Sequence, residues 1–95
     1  MTVMTTQRLF VSGRVQGVGY RDYATRQARA LGVTGWVRNT RDGRVEMLVS
    51  GDDEALQRFV EACRSGPPLA RVDTIEAQPD NEERSARGFT KRFTA

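Results

Sequence analysis

The chain contains no histidine. That removes the side chain whose ordinary pKa lies nearest neutrality, and with it His general-base, phosphohistidine and ordinary zinc chemistry. Cysteine occurs once, as Cys63, so no internal disulfide can form. Residues 1–7 lack the basic-then-apolar build of a signal peptide, and no apolar run approaches the length of a membrane span. A cytoplasmic protein without disulfides and without a membrane partner is the expectation. Blocks of one charge are also missing. Lysine and arginine number 15 against 12 acidic residues, a net charge of +3, and all but one of the basic residues are arginines scattered along the chain. The pI of about 9.7 raises the question of nucleic acid, but without a basic stripe small anionic ligands fit better. Neither a repeat nor a linker divides the sequence. A single domain over 1–95 is expected, large enough for one two-layer core, with 1–6 as a frayed tail.

Glycine, by contrast, is concentrated in one stretch, Gly13-Arg14-Val15-Gln16-Gly17-Val18-Gly19-Tyr20-Arg21. A β-prone run, 7–12, feeds into it, and from Tyr20 the apolar residues Ala24, Ala28 and Leu31 recur at helical spacing. Asp22, Thr25, Arg26 and Arg29 take the opposite side of that helix, and Gly32 suits its end. Residues 33–39 form a second strand, and Asp42-Gly43 supplies the positive φ of a tight connection to a third over 44–50. A second helix over 52–64 carries Ala55, Leu56, Phe59, Val60 and Cys63 on one face and stops at Gly66-Pro67-Pro68. Residues 70–77 read as a fourth strand with Val72 and Ile75 out of phase, the mark of a bulge or slipped register. Residues 78–87 read as a mobile loop. Phe89 and Phe93 share a phase in a last short strand at a sheet edge.

The order βαββαβ, plus the short extra C-terminal strand, predicts an α+β, ferredoxin-like two-layer sandwich. Its sheet is mostly antiparallel and both helices cover one face.

The two helix starts differ. The second opens on Asp52-Asp53-Glu54, which can cap its free N–H groups and suits the positive end of the dipole. The first has no Ser, Thr, Asp or Asn in the loop ahead of it, and Arg21 adds positive charge there. Such a start is costly unless an anion caps it. Known phosphate motifs do not fit. The loop lacks the Lys-Ser/Thr ending of the nucleotide P-loop, and a dinucleotide fingerprint would need glycine where Asp22 stands. Cys63 lies in a helical apolar stripe, with Leu69 where a phosphatase arginine would be, and reads as a core thiol. Asp52-Asp53-Glu54 read as caps rather than metal ligands, so no metal is expected.

Residues 12–21, Ser-Gly-Arg-Val-Gln-Gly-Val-Gly-Tyr-Arg, resemble the signature of the acylphosphatase family. Gly35-Trp36-Val37-Arg38-Asn39 followed by Asp42-Gly43-Arg44-Val45-Glu46 resembles that family's second signature. The resemblance spans roughly 8–93. It implies hydrolysis of acyl phosphates to a carboxylate and inorganic phosphate without metal or organic cofactor, and it implies the fold already reached by pattern. The family's two catalytic residues match Arg21 and Asn39, and Tyr20 stands where phenylalanine is frequent. The C-terminal Phe89-Thr90-Lys91-Arg92-Phe93 matches more loosely.

The chemistry suits these residues. Arg21 and the amides of Gln16, Gly17, Val18, Gly19 and Tyr20 can hold a phosphoryl dianion. Asn39 is no strong base but can orient a water for in-line attack. The expected ligands are a small-molecule acyl phosphate and inorganic phosphate, the latter as product and inhibitor, with a monomeric, free-standing enzyme as the default. The alternative is a single-stranded RNA-binding module of the same element order. It lacks the aromatics that RNA stacking needs on the third strand, Arg44-Val45-Glu46-Met47-Leu48-Val49. A regulatory or maturation module without turnover is a third possibility.

Overall fold

Alternation of apolar and polar residues builds the sheet. A computed structural model describes residues 4–80 and 88–94. Strand β1 spans Met4–Arg14, helix α1 Tyr20–Leu31, β2 Thr34–Asn39, β3 Val45–Asp52, α2 Asp53–Ser65, β4 Arg71–Pro79 and β5 Phe89–Lys91. The strands lie in the order β4-β1-β3-β2-β5. All neighbouring pairs are antiparallel except β2 with β5. This is the mixed, ferredoxin-like sheet that the element order predicts.

One face of the sheet is the core. Leu9, Val11, Val37, Val45, Met47 and Val49 are fully buried in a single cluster with Tyr20, Ala24 and Ala28 of α1 and Leu56, Phe59 and Cys63 of α2. Both helices therefore cover the same side. The other face carries no helix among the described residues, and arginines cover its apolar groups instead. The Arg38 and Arg92 guanidinium carbons lie 4.8 and 4.7 Å from the Trp36 ring centre, and Arg44 stands 4.6 Å from that of Phe10. Arg8 and Arg38 both pair with Glu46, itself only 6% exposed. Several of the scattered arginines thus shield aromatic rings and a buried carboxylate with their long stems.

Several boundaries depart from the pattern-based reading. Residues 4–6, expected in a frayed tail, pair with Asp52, Gly51 and Ser50 of β3. Pairing extends the strand where side-chain alternation had already faded. Thr25 stands on the polar side of the α1 pattern yet is buried, which its hydroxyl tolerates by donating to the Arg21 carbonyl one turn back, 2.8 Å away. The irregularity in β4 is a register shift: Ser12 pairs with Thr74 but Gly13 with Val72, leaving Asp73 as the extra residue. Gln78 and Pro79 belong to β4 rather than to a loop, and residues 81–87 lie outside the described residues. Phe89 is buried and β5 is an edge strand as expected, but Phe93 lies beyond the strand and is 94% exposed.

Candidate active site

Three connections meet at one end of the sheet: the glycine loop between β1 and α1, the end of β2, and β5. Val15 is buried and anchors the loop, while Gly17 and Gly19 take the left-handed φ values +72° and +79°. Gly19 is the N-cap of α1 and offers no side chain to the helix. At α2, by contrast, the Asp52 carboxylate accepts from the Ala55 amide at 2.8 Å. The same chain caps one helix with its own carboxylate and leaves the other start bare. Arg21 follows in the first turn of that bare helix, and its guanidinium donates to the Arg92 carbonyl at 2.9 Å.

Asn39 is the last residue of β2. Its Oδ1 is shut off from solvent and has no hydrogen-bond partner among the described residues. A buried acceptor left unpaired costs about 1–3 kcal/mol. Asn39, Arg21, Gly17, Gly19 and Tyr20 all line one cavity of about 190 Å³ together with Val15, Asp22 and Lys91. A larger cavity of about 440 Å³ between α2 and the β1–β4 side shares no residue with it. Size does not decide between them, since only the smaller one joins an uncapped helix start to a guanidinium.

Two of the expected loop residues do not line this cavity. Val18 packs against the core. The Gln16 carboxamide turns toward the β2–β3 connection, where its Nε2 donates to the Thr40 and Arg44 carbonyls, each at 2.8 Å. Tyr20 lines the cavity, yet its ring is buried and its hydroxyl donates to the Cys63 carbonyl at 2.8 Å. Burial raises the Tyr20 pKa far above the ordinary phenol range, so the group stays neutral. Lys91 and Asp22 were not singled out from the sequence. The Lys91 ammonium sits 2.8 Å from an Asp22 carboxylate oxygen and, as the leading cause, holds its pKa below the usual value. Asp22 could have been found from its place beside Arg21. Lys91 could not, because it arrives on a parallel edge strand that no local pattern announces.

The acylphosphatase family model matches residues 7–91. The chain belongs to the acylphosphatase family. It is 50% identical to an acylphosphatase of Acidiphilium cryptum, over 96% of this chain and 99% of that one. It is 48% identical to an acylphosphatase of Rubrobacter xylanophilus, over 90% of this chain and 77% of the relative. Among solved structures, the acylphosphatase from Bacillus subtilis superposes with a TM-score of 0.89 at 38% identity, covering 95% of this chain and 99% of that chain. An acylphosphatase from Coxiella burnetii gives 0.86 at 33% identity, covering 94% and 93%. Nothing in these comparisons supports the RNA-binding alternative. The acylphosphatase likeness is strong in sequence and in fold alike.

Proposed function

We propose that this acylphosphatase-family chain hydrolyses acyl phosphates, with the phosphoryl group held at the start of α1. The observation that carries this reading is a single cavity lined by a helix start without a side-chain cap, by Arg21 and by Asn39. Arg21 supplies charge to the phosphoryl dianion, and the amides of the loop residues that line the cavity, Gly17, Gly19 and Tyr20, supply donors. Gly17 and Gly19 let those amides come close without side chains between them and the ligand.

Asn39 orients the attacking water. Its carboxamide, at the cavity wall, can hold a water by a hydrogen bond and so turn one of the water's lone pairs toward phosphorus. As the new P–O bond forms, the bond from phosphorus to the acyl oxygen breaks and the carboxylate leaves with the electron pair. Its conjugate acid has a pKa near ~4, so protonating the leaving group adds little. A phosphoryl oxygen takes the proton that the water loses, and the product is inorganic phosphate. No step is assigned to a metal or organic cofactor. Phosphate should compete with substrate because it fits the same cradle. A monomer acting in the cytoplasm is the accompanying expectation, and the lone buried thiol of Cys63 suits a reducing compartment.

The test is hydrolysis of benzoyl phosphate, with inorganic phosphate as competitor. Arg21→Ala and Asn39→Ala should each lose on the order of 10²–10³ in rate while still folding, the usual cost of removing one preorganised group. Near-normal turnover in either variant would overturn the site.

A further inference from the structure

The loop motif assigns Gln16 a role through its backbone amide, yet its side chain makes the more unusual contact. A carboxamide nitrogen carries two N–H donors. At Gln16 this nitrogen lies 2.8 Å from the Thr40 carbonyl and 2.8 Å from the Arg44 carbonyl, the two ends of the β2–β3 connection. The partners fix the amide's orientation. Rotating it would set Oε1 against two carbonyl oxygens with no proton between them. Within the connection, the Thr40 amide donates to the Arg44 carbonyl at 2.9 Å and the Gly43 amide to the Thr40 carbonyl at 3.3 Å. The connection is closed on itself, and Gln16 grips it as a unit.

Asn39 immediately precedes this connection, and Gln16 lies in the glycine loop, directly before Gly17. The β2–β3 and β1–β3 ladders hold the Asn39 backbone opposite Val45, and Val45 opposite Val11, but end there. Beyond that point the connection 40–44 and the glycine loop are held together by the Gln16 contacts rather than by strand pairing. We propose that Gln16 is a positioning residue for Asn39: its carboxamide ties the β2–β3 connection to the phosphate loop and so fixes where the water-orienting amide stands relative to the bound phosphoryl group. This rests on the roles given above to the loop and Asn39. A methionine has the same reach without donors. A glutamate would set anionic oxygens against two carbonyls, and an asparagine falls one methylene short. The carboxamide at this length supplies both donors from one atom.

Such a residue acts on the reaction step more than on phosphate binding. A misplacement of about 1 Å can cost on the order of 10² in rate, so Gln16→Met should lower kcat roughly ten- to a hundredfold. The inhibition constant of inorganic phosphate should stay within about threefold, because the loop keeps its own donors. In an Asn39→Ala background the same Gln16→Met change should cost less than about threefold in kcat, since the group it positions is gone.

Benzoyl phosphate turnover and phosphate inhibition in the two single variants and the double variant make the test. Phosphate affinity falling in step with kcat, or a full additional loss in the double variant, would overturn the positioning role. If Asn39→Ala itself turns over normally, the site reading fails. If Asn39→Ala is slow while Gln16→Met is near normal, only the role of Gln16 fails. Should Gln16→Met not fold, NMR couplings across the hydrogen bonds from Gln16 Nε2 to the Thr40 and Arg44 carbonyl carbons in the unaltered protein replace it. Their presence supports the tie, and their absence overturns it.

Discussion

The Arg21 guanidinium reaches the main-chain carbonyl of Arg92, 2.9 Å away and 71 positions along the chain. The contact exists because β5 runs parallel to β2, from Gly35 with Phe89 to Val37 with Lys91. The Arg92 amide then donates to the Val37 carbonyl at 2.8 Å, which holds its own carbonyl in place. The cation proposed to bind phosphate is thus oriented from the far end of the sequence.

Deleting residues 92–95 should therefore loosen Arg21. A hydrogen bond to a charged group contributes about 1.5–3 kcal/mol, so kcat/KM for benzoyl phosphate is expected to fall roughly ten- to a hundredfold. Arg92→Ala keeps the carbonyl and removes only the side chain that covers Trp36. It should lose less than the deletion does. Equal losses would show that the carbonyl is not what matters.

Two glycines separate conformational need alone from conformational and spatial need together, since Gly35 has φ +135° as well as a close neighbour. Gly19 has φ +79°, and a Cβ built there meets nothing within 4 Å. Gly19→Ala should cost only the left-handed backbone penalty, about 1–2 kcal/mol. A cost of that size lowers Tm by roughly 4–16 °C in a domain of this length. At Gly35 the added Cβ would stand 1.8 Å from the Leu48 carbonyl oxygen, a main-chain atom of the neighbouring strand. That oxygen cannot move without opening the β2–β3 ladder, so Gly35→Ala should yield no cooperative thermal transition. Comparable melting of the two variants would refute the distinction.

Asp42 offers a titration whose sign is fixed. One carboxylate oxygen accepts from Arg44 Nε at 2.9 Å, and the other accepts from the Thr40 hydroxyl. Arg44, followed by Thr40, lowers the pKa to about 2. Because the folded value is depressed, the contribution of this carboxylate to the connection is complete above its unfolded pKa of about 4. It is lost as pH falls through about 2. The side chain is exposed, so the effect is local. An NMR titration of the Asp42 carboxyl carbon should show a midpoint near 2. A midpoint at the ordinary value would mean that the ring of contacts around Thr40 and Arg44 does not form in solution.

Much of this geometry was legible where it is local. The missing cap before Tyr20, the Asp52 cap, the Asp42-Gly43 turn and the apolar faces of both helices are settled within a few neighbouring residues. Arg21 and Asn39 could be picked out, with the family resemblance, because each sits in a contiguous motif. What was not legible depends on distant chain. Met4, Thr5 and Thr6 look like a tail until β3 pairs with them. Thr25 is the local exception, a polar residue whose hydroxyl is satisfied by the Arg21 carbonyl one turn back. Phe93 shares a phase with Phe89, but the strand stops at Lys91. The reach of the Gln16 carboxamide depends on where a hairpin 24 positions away comes to rest.

The Cys63 thiol links the core to the ligand site. It is fully buried, and burial pushes its pKa up to about 12. Thiolate is the reactive form, so native protein should not react with dithionitrobenzoate at pH 8 except through opening. The carbonyl of the same residue accepts from Tyr20, the first residue of α1 and a wall of the candidate phosphate cavity. An opening that frees Cys63 must break this bond and disturb the start of α1. If phosphate binds only the closed form, labelling should slow by the factor one plus phosphate concentration over its dissociation constant. At phosphate a hundredfold above that constant, the rate should drop about a hundredfold. The expected result is slow labelling whose phosphate dependence gives the same constant as inhibition of turnover. Labelling indifferent to phosphate would mean that α2 opens without the loop, and that the Tyr20–Cys63 bond does not couple them.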